Sequence, residues 1–419
     1  MKSTVLARLA LLLALAAGMS AATTPYPVFG ARRIKFPDVP GYLTLKCDFH
    51  IHTVFSDGKV WPNMRVEEAL REGLDVIALT DHLEWNPHRK DVPFPDQNRS
   101  HEIAWEAVGD RGLLVLRAVE ITRLMPPEGD EPGHLNAIFV QDGNLLKKPD
   151  ATEVLREAAR QGAFAIWNHP SWLRQTPDGV ARLTPLHERL LAENLFQGAE
   201  VVNSNEYSDE TLQIALDRKL AIIASSDIHA PIDWFYPGEE SAHRPVTFVF
   251  AKEKTEASLK EALLAGRTVA WFKNSLIGRE EWLVPLLQAS ITAKSEGYEW
   301  ENSILSYQPR TTVLNVRLTN STDAAFILRN ASGYRLHNQT DTFVLPAHSS
   351  MPIQVKVLKK LPEVALKFEV LNAVVAPEKH AFLEINVTAK VAPAEIKPDR
   401  ARAQLGTPAP GTVAMNGKE

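Results

Sequence analysis

Cysteine is almost missing: Cys47 is the only one in 419 residues. No intramolecular disulfide can form, and a cage of thiolate metal ligands is excluded. Long apolar runs are scarce too. The one candidate, Leu9 to Ala17, falls short of the roughly 20 residues that span a bilayer. With Lys2 and Arg8 around its start and Ser20-Ala21-Ala22 behind it, it reads as a signal peptide over residues 1–22. The expectation is a periplasmic or secreted protein with no stable membrane insertion after cleavage. A surplus of charge is also lacking, since 46 Lys+Arg against 51 Asp+Glu leave a net -5. That argues against a nucleic-acid groove over the whole surface, and no nucleic-acid partner is expected.

What the sequence does have is a concentration of metal-ligand side chains at the ends of apolar segments. In the stretch from Asp48 to Gly58, His50 and His52 alternate with Phe49 and Ile51, so on a β-strand both imidazoles point to one face. Asp57 falls in the Gly-containing turn that ends the strand, and Asp81-His82 close a second strand over 76–80 whose apolar run suits a buried parallel sheet.

Residues 44–272 alternate strand and helix patterns. Strands are read at 44–52, 75–82, 113–122, 134–140, 163–169, 199–205 and 221–227, with helical spacing at 65–73, 151–162, 210–219 and 256–266. His52, His82, Glu120, His169, Asn205 and Asp227 end different strands, whereas His134 opens its own. Polar residues at many strand ends favour a closed barrel over an open sheet, which gathers ligands only at its switch point. The fold class expected is α/β, a distorted (β/α)7 barrel over 44–290 after an N-terminal extension (23–43). A helical segment near 280–288 leads to short alternating strands that fit an antiparallel β-sandwich over 291–391. The Pro- and Ala-rich stretch 392–419 reads as a disordered tail.

Of 13 histidines, His50, His52, His82, His134, His169 and His229 lie at or beside strand ends, together with Asp57, Glu120 and Asp227. Imidazole with carboxylate is the ligand set of Zn²⁺, Mn²⁺ and Fe²⁺. Nine donors suit two or three divalent ions with a shared carboxylate, and ions about 4 Å apart activate water and neutralise a leaving oxygen.

The motifs His50-x-His52, Ser56-Asp57-Gly58, Thr80-Asp81-His82, a strand ending near Glu120, Gly133-His134-x-Asn136, Asn168-His169-Pro170 and Ser226-Asp227-x-His229 occur in one order. That order resembles the signature of the polymerase and histidinol phosphatase (PHP) superfamily over residues 44–272. The resemblance implies a (β/α)7 barrel with a trinuclear centre. His50, His52, Glu120 and Asp227 would bind one ion, Glu120, His134 and His169 a second, and Asp57, His82 and His229 a third. Asp57 stands where some relatives place histidine. The implied reaction is attack on phosphorus by a metal-bridging hydroxide.

Further candidates are Asp81, as a leaving-group acid or an orienter of His82, His243 as an acid, and Arg123 and Arg244 as phosphate clamps. The aromatics Trp85, Trp167, Trp172, Trp234, Phe235 and Tyr236 lie near the ligands in sequence, and the 234–236 loop suits a pocket wall for a non-polar substituent. The segment Val60-Trp61-Pro62-Asn63, the Asp227-Ile228-His229 motif and the β-domain resemble an exported phosphodiesterase branch, so a small-molecule phosphodiester is the expected substrate. Three alternatives stay open: a phosphomonoesterase of the histidinol-phosphate type, a carboxyl or carbamate ester hydrolase, and a metal-loaded binding module without catalysis.

Overall fold

A computed structural model of the chain describes residues 33–93, 96–123, 131–237, 243–300 and 312–391. The expected signal peptide and tail lie outside the described residues.

The first half runs β1 (Leu43–Ile51), α1 (Pro62–Glu72), β2 (Val76–Leu79), α2 (Arg99–Val108), β3 (Leu114–Thr122), β4 (His134–Ile138), α3 (Ala151–Arg160), β5 (Phe164–Trp167), α4 (Pro185–Ala192), β6 (Gly198–Asn203), the short β7 (Glu206–Tyr207), α5 (Asp209–Asp217) and β8 (Ala221–Ser225). Local signals set the helix limits. Asp150 caps α3 by accepting from the Glu153 amide, and α1 starts with Pro62 and stops at Gly73 in the left-handed region. Helices α3 and α5 carry their apolar residues at helical spacing and bury them, as Val154, Leu155 and Ala158 do in α3.

Strands β1, β2 and β3 are parallel, as are β5, β6 and β8. Strand β4 runs antiparallel to both β3 and β5, one source of the barrel's distortion. The reversal explains why His134 opens its strand, because the start of a reversed strand lies level with the ends of its neighbours. Closure is incomplete. Strand β8 meets β1 through the Asp227 amide to His50 O (2.9 Å) and the His52 amide to Ile228 O (3.1 Å). Below that, Thr247 Oγ1 and Thr268 Oγ1 accept from the amides of Ala224 and Ile222 (2.8 and 3.1 Å). The barrel is distorted at that seam, where side chains stand in for a ladder.

Beyond β8 the chain adds β9 (Val246–Ala251), α6 (Glu256–Leu264), β10 (Thr268–Phe272), β11 (Ser275–Gly278) and α7 (Glu280–Ser290). Strand β9 lies antiparallel on β1, and β10 and β11 follow as antiparallel neighbours.

The C-terminal domain is an antiparallel β-sandwich. One sheet holds β12 (Ile291–Trp300), β13 (Thr312–Asn320), β17 (Ser350–Val357) and β15 (Arg335–Leu336), and the other β16 (Thr342–Leu345), β14 (Phe326–Asn330), β18 (Glu363–Ala376) and β19 (Lys379–Thr388). Period-two alternation buries Leu314, Val316 and Leu318 against Phe326, Leu328, Leu366 and Phe368. This domain is not a tethered module. Strand β18 pairs parallel with β11, Leu276 opposite Ala373 and Ile277 opposite Val374, so its second sheet continues the barrel's. Asn274 Oδ1 accepts from the Ala325 amide (2.8 Å), and Asn372 Nδ2 donates to Ala325 O (2.8 Å). Among the described residues, no helix is long and apolar enough to cross a membrane.

Candidate metal centre

All nine expected ligands reach one rim of the barrel. Strand β1 delivers His50 and His52 across an irregularity in its register with β2, while Ile51 between them packs on the other side with Ile77, Leu79 and Ile228. His82 follows β2 and bridges to Glu120 of β3. His134 comes from the reversed β4. His169 and Asp227 sit just beyond β5 and β8 with φ of 31° and 51°, a left-handed turn that aims each side chain inward at the cost of local strain.

The donor atoms form four overlapping groups: His50, His52, Glu120; His50, His169, Asp227; Glu120, His134, His169; and His52, Asp57, His82, His229. Within each, one atom per residue lies within 4.8 Å of the others. Spacing tests the fit to a metal. Ligands on a tetrahedral ion with bonds of about 2.1 Å sit roughly 3.4 Å from one another. Here His50 Nε2 is 3.1 Å from His52 Nε2, 3.2 Å from Asp227 Oδ1 and 3.6 Å from Glu120 Oε1. Asp57 Oδ1 is 3.2 Å from His229 Nε2 and 3.4 Å from His82 Nε2. Glu120 Oε1 lies 3.0 Å from His134 Nδ1 and 3.5 Å from His169 Nε2.

Unused capacity agrees with the spacing. Asp57 Oδ1, Glu120 Oε2 and His134 Nε2 are buried without a hydrogen bond among the described residues. Glu120 Oε2 lies 2.6 Å from His82 Nδ1, but that nitrogen is turned to Thr122 Oγ1 (2.6 Å), so the close pair is an ion contact and not a hydrogen bond. Buried polar atoms without partners are costly unless something binds them.

The electrostatics favour cations. Burial works against charge on His50, yet Asp227, Glu200 and Glu120 outweigh it and raise its pKa well above the imidazole range. Burial also opposes charge on His82, but Glu120 and Asp57 lift it to about 10. His52 goes down to about 4, from burial and then from the neighbouring His229 and His82. Burial pushes Asp57, Glu120 and Asp227 up, and the surrounding imidazoles more than reverse this, so all three fall below the usual carboxylate range. Protons and divalent cations therefore compete for the same donors.

Several supporting residues escaped the sequence reading. Glu200, buried in β6, takes His50 Nδ1 at 2.9 Å on Oε1 and accepts from the His169 amide (2.9 Å) and Asn203 Nδ2 (2.8 Å) on Oε2. A carboxylate on one nitrogen leaves the other free for a metal. Gln175 holds His169 Nδ1 at 2.6 Å, and Asn168 Nδ2 donates to Glu120 Oε1 at 3.0 Å. Arg65, on α1 and 1% exposed, donates to the carbonyls of His52 (3.0 Å), Ile228 (3.0 Å) and Ala230 (2.9 Å). It ties the two segments that carry His52 and His229.

None of the four expected catalytic residues belongs to the donor groups, and each has partners of its own. Asp81 accepts from the Thr53 amide (2.8 Å) and from Ser56 Oγ (2.8 Å), which in turn faces His52 Nδ1 (3.2 Å). Through Ser56 it supports His52 and not His82, and its oxygens are engaged by Thr53 and Ser56. Arg244 is buried, with Nε on Glu72 Oε2 (2.7 Å) and an Nη on Asp48 Oδ2 (3.0 Å), so it braces the fold. Arg123 pairs with Glu84 (2.9 Å) and donates to the carbonyls of Lys148 and Pro149. His243 stacks on Trp271 with centroids 3.4 Å apart, and its nitrogens face the carbonyls of Arg244 and Lys273. Of the aromatics, Trp167 and Tyr236 are buried, Trp85, Trp234 and Phe235 are exposed, and Trp172 packs against His134 and His169.

Comparison with known proteins supplies the family context. The profile of an Ig-like domain matches residues 302–386. A two-domain protein of Bacteroides vulgatus containing a predicted PHP-like metal-dependent phosphoesterase is 40% identical, with 84% of this chain and 98% of that one covered at a TM-score of 0.74. A Bifidobacterium adolescentis protein assigned as a metal-dependent phosphoesterase is 17% identical over 45% of this chain and 89% of its own, at 0.36. A lesion-specific endonuclease of Pyrococcus furiosus is 16% identical over 57% and 59%, also at 0.36. The last two superpose too loosely to inform the site. No curated protein matches the chain.

Proposed function

The chain belongs to the PHP-like metal-dependent phosphoesterases, and from that membership we propose that it hydrolyses small organic phosphodiesters, using two or three ions of Zn²⁺, Mn²⁺ or Fe²⁺, in the periplasm or outside the cell. The observation that carries the reading is Glu120, a fully buried carboxylate shared between the His50/His52 group and the His134/His169 group. Ions bound there would supply Lewis acidity, lowering the pKa of water and neutralising charge that develops on the phosphoryl oxygens.

The chain's own residues shape the rest. Glu200, Ser56, Thr122 and Gln175 hold ring nitrogens of His50, His52, His82 and His169, so four imidazoles are oriented before any ligand arrives. Neither Arg123 nor Arg244 is presented to the ligands. A monoester dianion needs more positive charge than a diester monoanion, so the engagement of both arginines elsewhere supports the diester.

The test compares bis(p-nitrophenyl) phosphate with p-nitrophenyl phosphate on metal-loaded protein. The diester is expected to show the larger kcat/KM, and His50→Ala to lose both bound metal and nearly all turnover. Monoester turnover far above diester turnover refutes the assignment.

A further inference from the structure

Two surfaces of opposite character flank the metal ligands. On the side of His229, the most exposed of the ligands at 36%, large apolar groups face solvent: Trp61, Met64, Trp234 and Phe235 are each half exposed or more. Their adjacency follows from the backbone. Positions 61, 64, 68 and 71 recur at three- and four-residue steps along one face of α1. Glu68 Oε1 accepts from the Ile232 amide (2.9 Å) and Arg71 pairs with Asp233 (2.5 Å), so the turn bearing Trp234 and Phe235 is fastened to the face that starts with Trp61 and Met64. Lys59 joins them to the site, its amide donating to His229 O (2.7 Å) and its ammonium lying 6.0 Å from the Trp234 ring centre. Clustered exposed apolar groups beside a reactive centre mark a binding surface.

On the side of His82 lies a cavity of about 200 Å³ lined by Phe55, Trp85, Asn86, Arg89, Gln97 and Lys147, among others. Its carboxylates are engaged from within the protein: Asp81 by Thr53 and Ser56, Glu84 by the Thr122 amide, and Asp96 by Asn98 and Asn144. Arg89 and Gln97 supply a cation and an amide to its wall for a polar guest. Phe55 belongs to both surfaces, since it lines the cavity and meets the Trp61 ring edge-on at 5.9 Å.

We infer that the substrate is an amphipathic phosphodiester, with a bulky apolar ester group lying over Trp61, Met64, Trp234 and Phe235 and a polar, hydroxyl-bearing ester group entering the cavity beside His82. This rests on the phosphodiesterase reading and deepens it. A diester has two substituents for two unlike surfaces, whereas a monoester leaves one of them unused.

Binding of phosphonate analogues of the diester, shown by 31P NMR to stay intact during the measurement, tests the inference apart from turnover. Calorimetry on metal-loaded protein compares the methyl esters of methyl-, butyl- and octylphosphonic acid. Affinity is expected to rise at least about tenfold from methyl to octyl as methylenes leave water. The double substitution Trp61→Ala, Trp234→Ala should lose most of that rise while its melting curve matches the parent, because both rings are exposed. Replacing the methyl ester by a 2,3-dihydroxypropyl ester should strengthen binding severalfold, and Arg89→Ala should remove that gain and keep the chain-length gain. Equal affinity along the alkyl series overturns the inference, as does a rise that survives the double substitution. It is also overturned if the protein is a dimer that the double substitution makes monomeric, since a second copy then covers the face. A chain-length gain in a protein that hydrolyses no diester upholds the surface and sinks the phosphodiesterase reading instead.

Discussion

Replacing Arg244 by alanine separates a brace from a substrate clamp. The guanidinium is 1% exposed and bonds Asp48 Oδ2 at 3.0 Å and Glu72 Oε2 at 2.7 Å. Burial opposes its charge, but Glu72 and Asp48 more than compensate and raise its pKa. Removing it strands two carboxylates. Asp48 keeps donors from Ser226 Oγ (2.6 Å), the Ser226 amide (3.1 Å) and the His50 amide (3.3 Å), so the greater loss falls on Glu72. Breaking a buried pair by deleting one partner costs about 3–5 kcal/mol. With an unfolding entropy near 2.1 cal/mol/K per residue over roughly 330 residues, that lowers Tm by about 4–7 °C. Melting of the metal-free protein by circular dichroism measures this, and diester kinetics below the transition measure the other arm. The reasoning expects the fall in Tm with KM changed less than about twofold. An unchanged Tm with KM raised tenfold or more would refute it and return Arg244 to the substrate.

Three other outcomes follow from the same contacts. Glu200→Gln should leave the fold intact but weaken metal binding by about 10- to 100-fold, read by competition with a chromophoric chelator, since the amide holds His50 less firmly than a carboxylate does; unchanged metal affinity would remove Glu200 from the site's support. Burial drives His187 down to about 4 despite its bond to Pro132 O (2.9 Å). Its folded pKa is below the unfolded value of about 6.5, so its contribution is complete above pH 6.5 and is lost as pH falls toward 4, by about 3 kcal/mol at most; His187→Gln should flatten stability against pH in that window. Truncation after Ser290 should give aggregated or unfolded protein and not an inactive but folded barrel, because it strips β18 from β11 and uncovers Leu276 and Trp271; a monomeric, cooperatively melting barrel would contradict this.

The candidate ligands are legible because strands buried on both faces have no ordinary use for His, Asp or Glu at their ends, and the motifs occur in one order. Glu200 carries the same signal, an acid inside the apolar run Gly198 to Val202. It does not read as a ligand because it stands mid-strand and not at a strand end. The arginines failed for a different reason. Sequence gives charge but not direction, and a guanidinium beside a motif is as able to brace two carboxylates from below as to reach a substrate from above. The pairing of Arg244 with Asp48 spans 196 positions, which local pattern cannot reveal.

The reversal of β4 shows how strand direction decides which candidate ligands can meet. Reading every strand as parallel puts His134 at the far end of the barrel, out of reach of Glu120. Antiparallel pairing sets Thr122 opposite His134 and Glu120 opposite Asn136, which brings His134 Nδ1 to 3.0 Å from Glu120 Oε1. The chemistry therefore constrains the topology: a ligand at the start of a strand can join ligands at the ends of its neighbours only if that strand is turned around. Strand direction at this position was implicit in the ligand set, and the same logic applies to any barrel in which a metal-binding residue opens a strand.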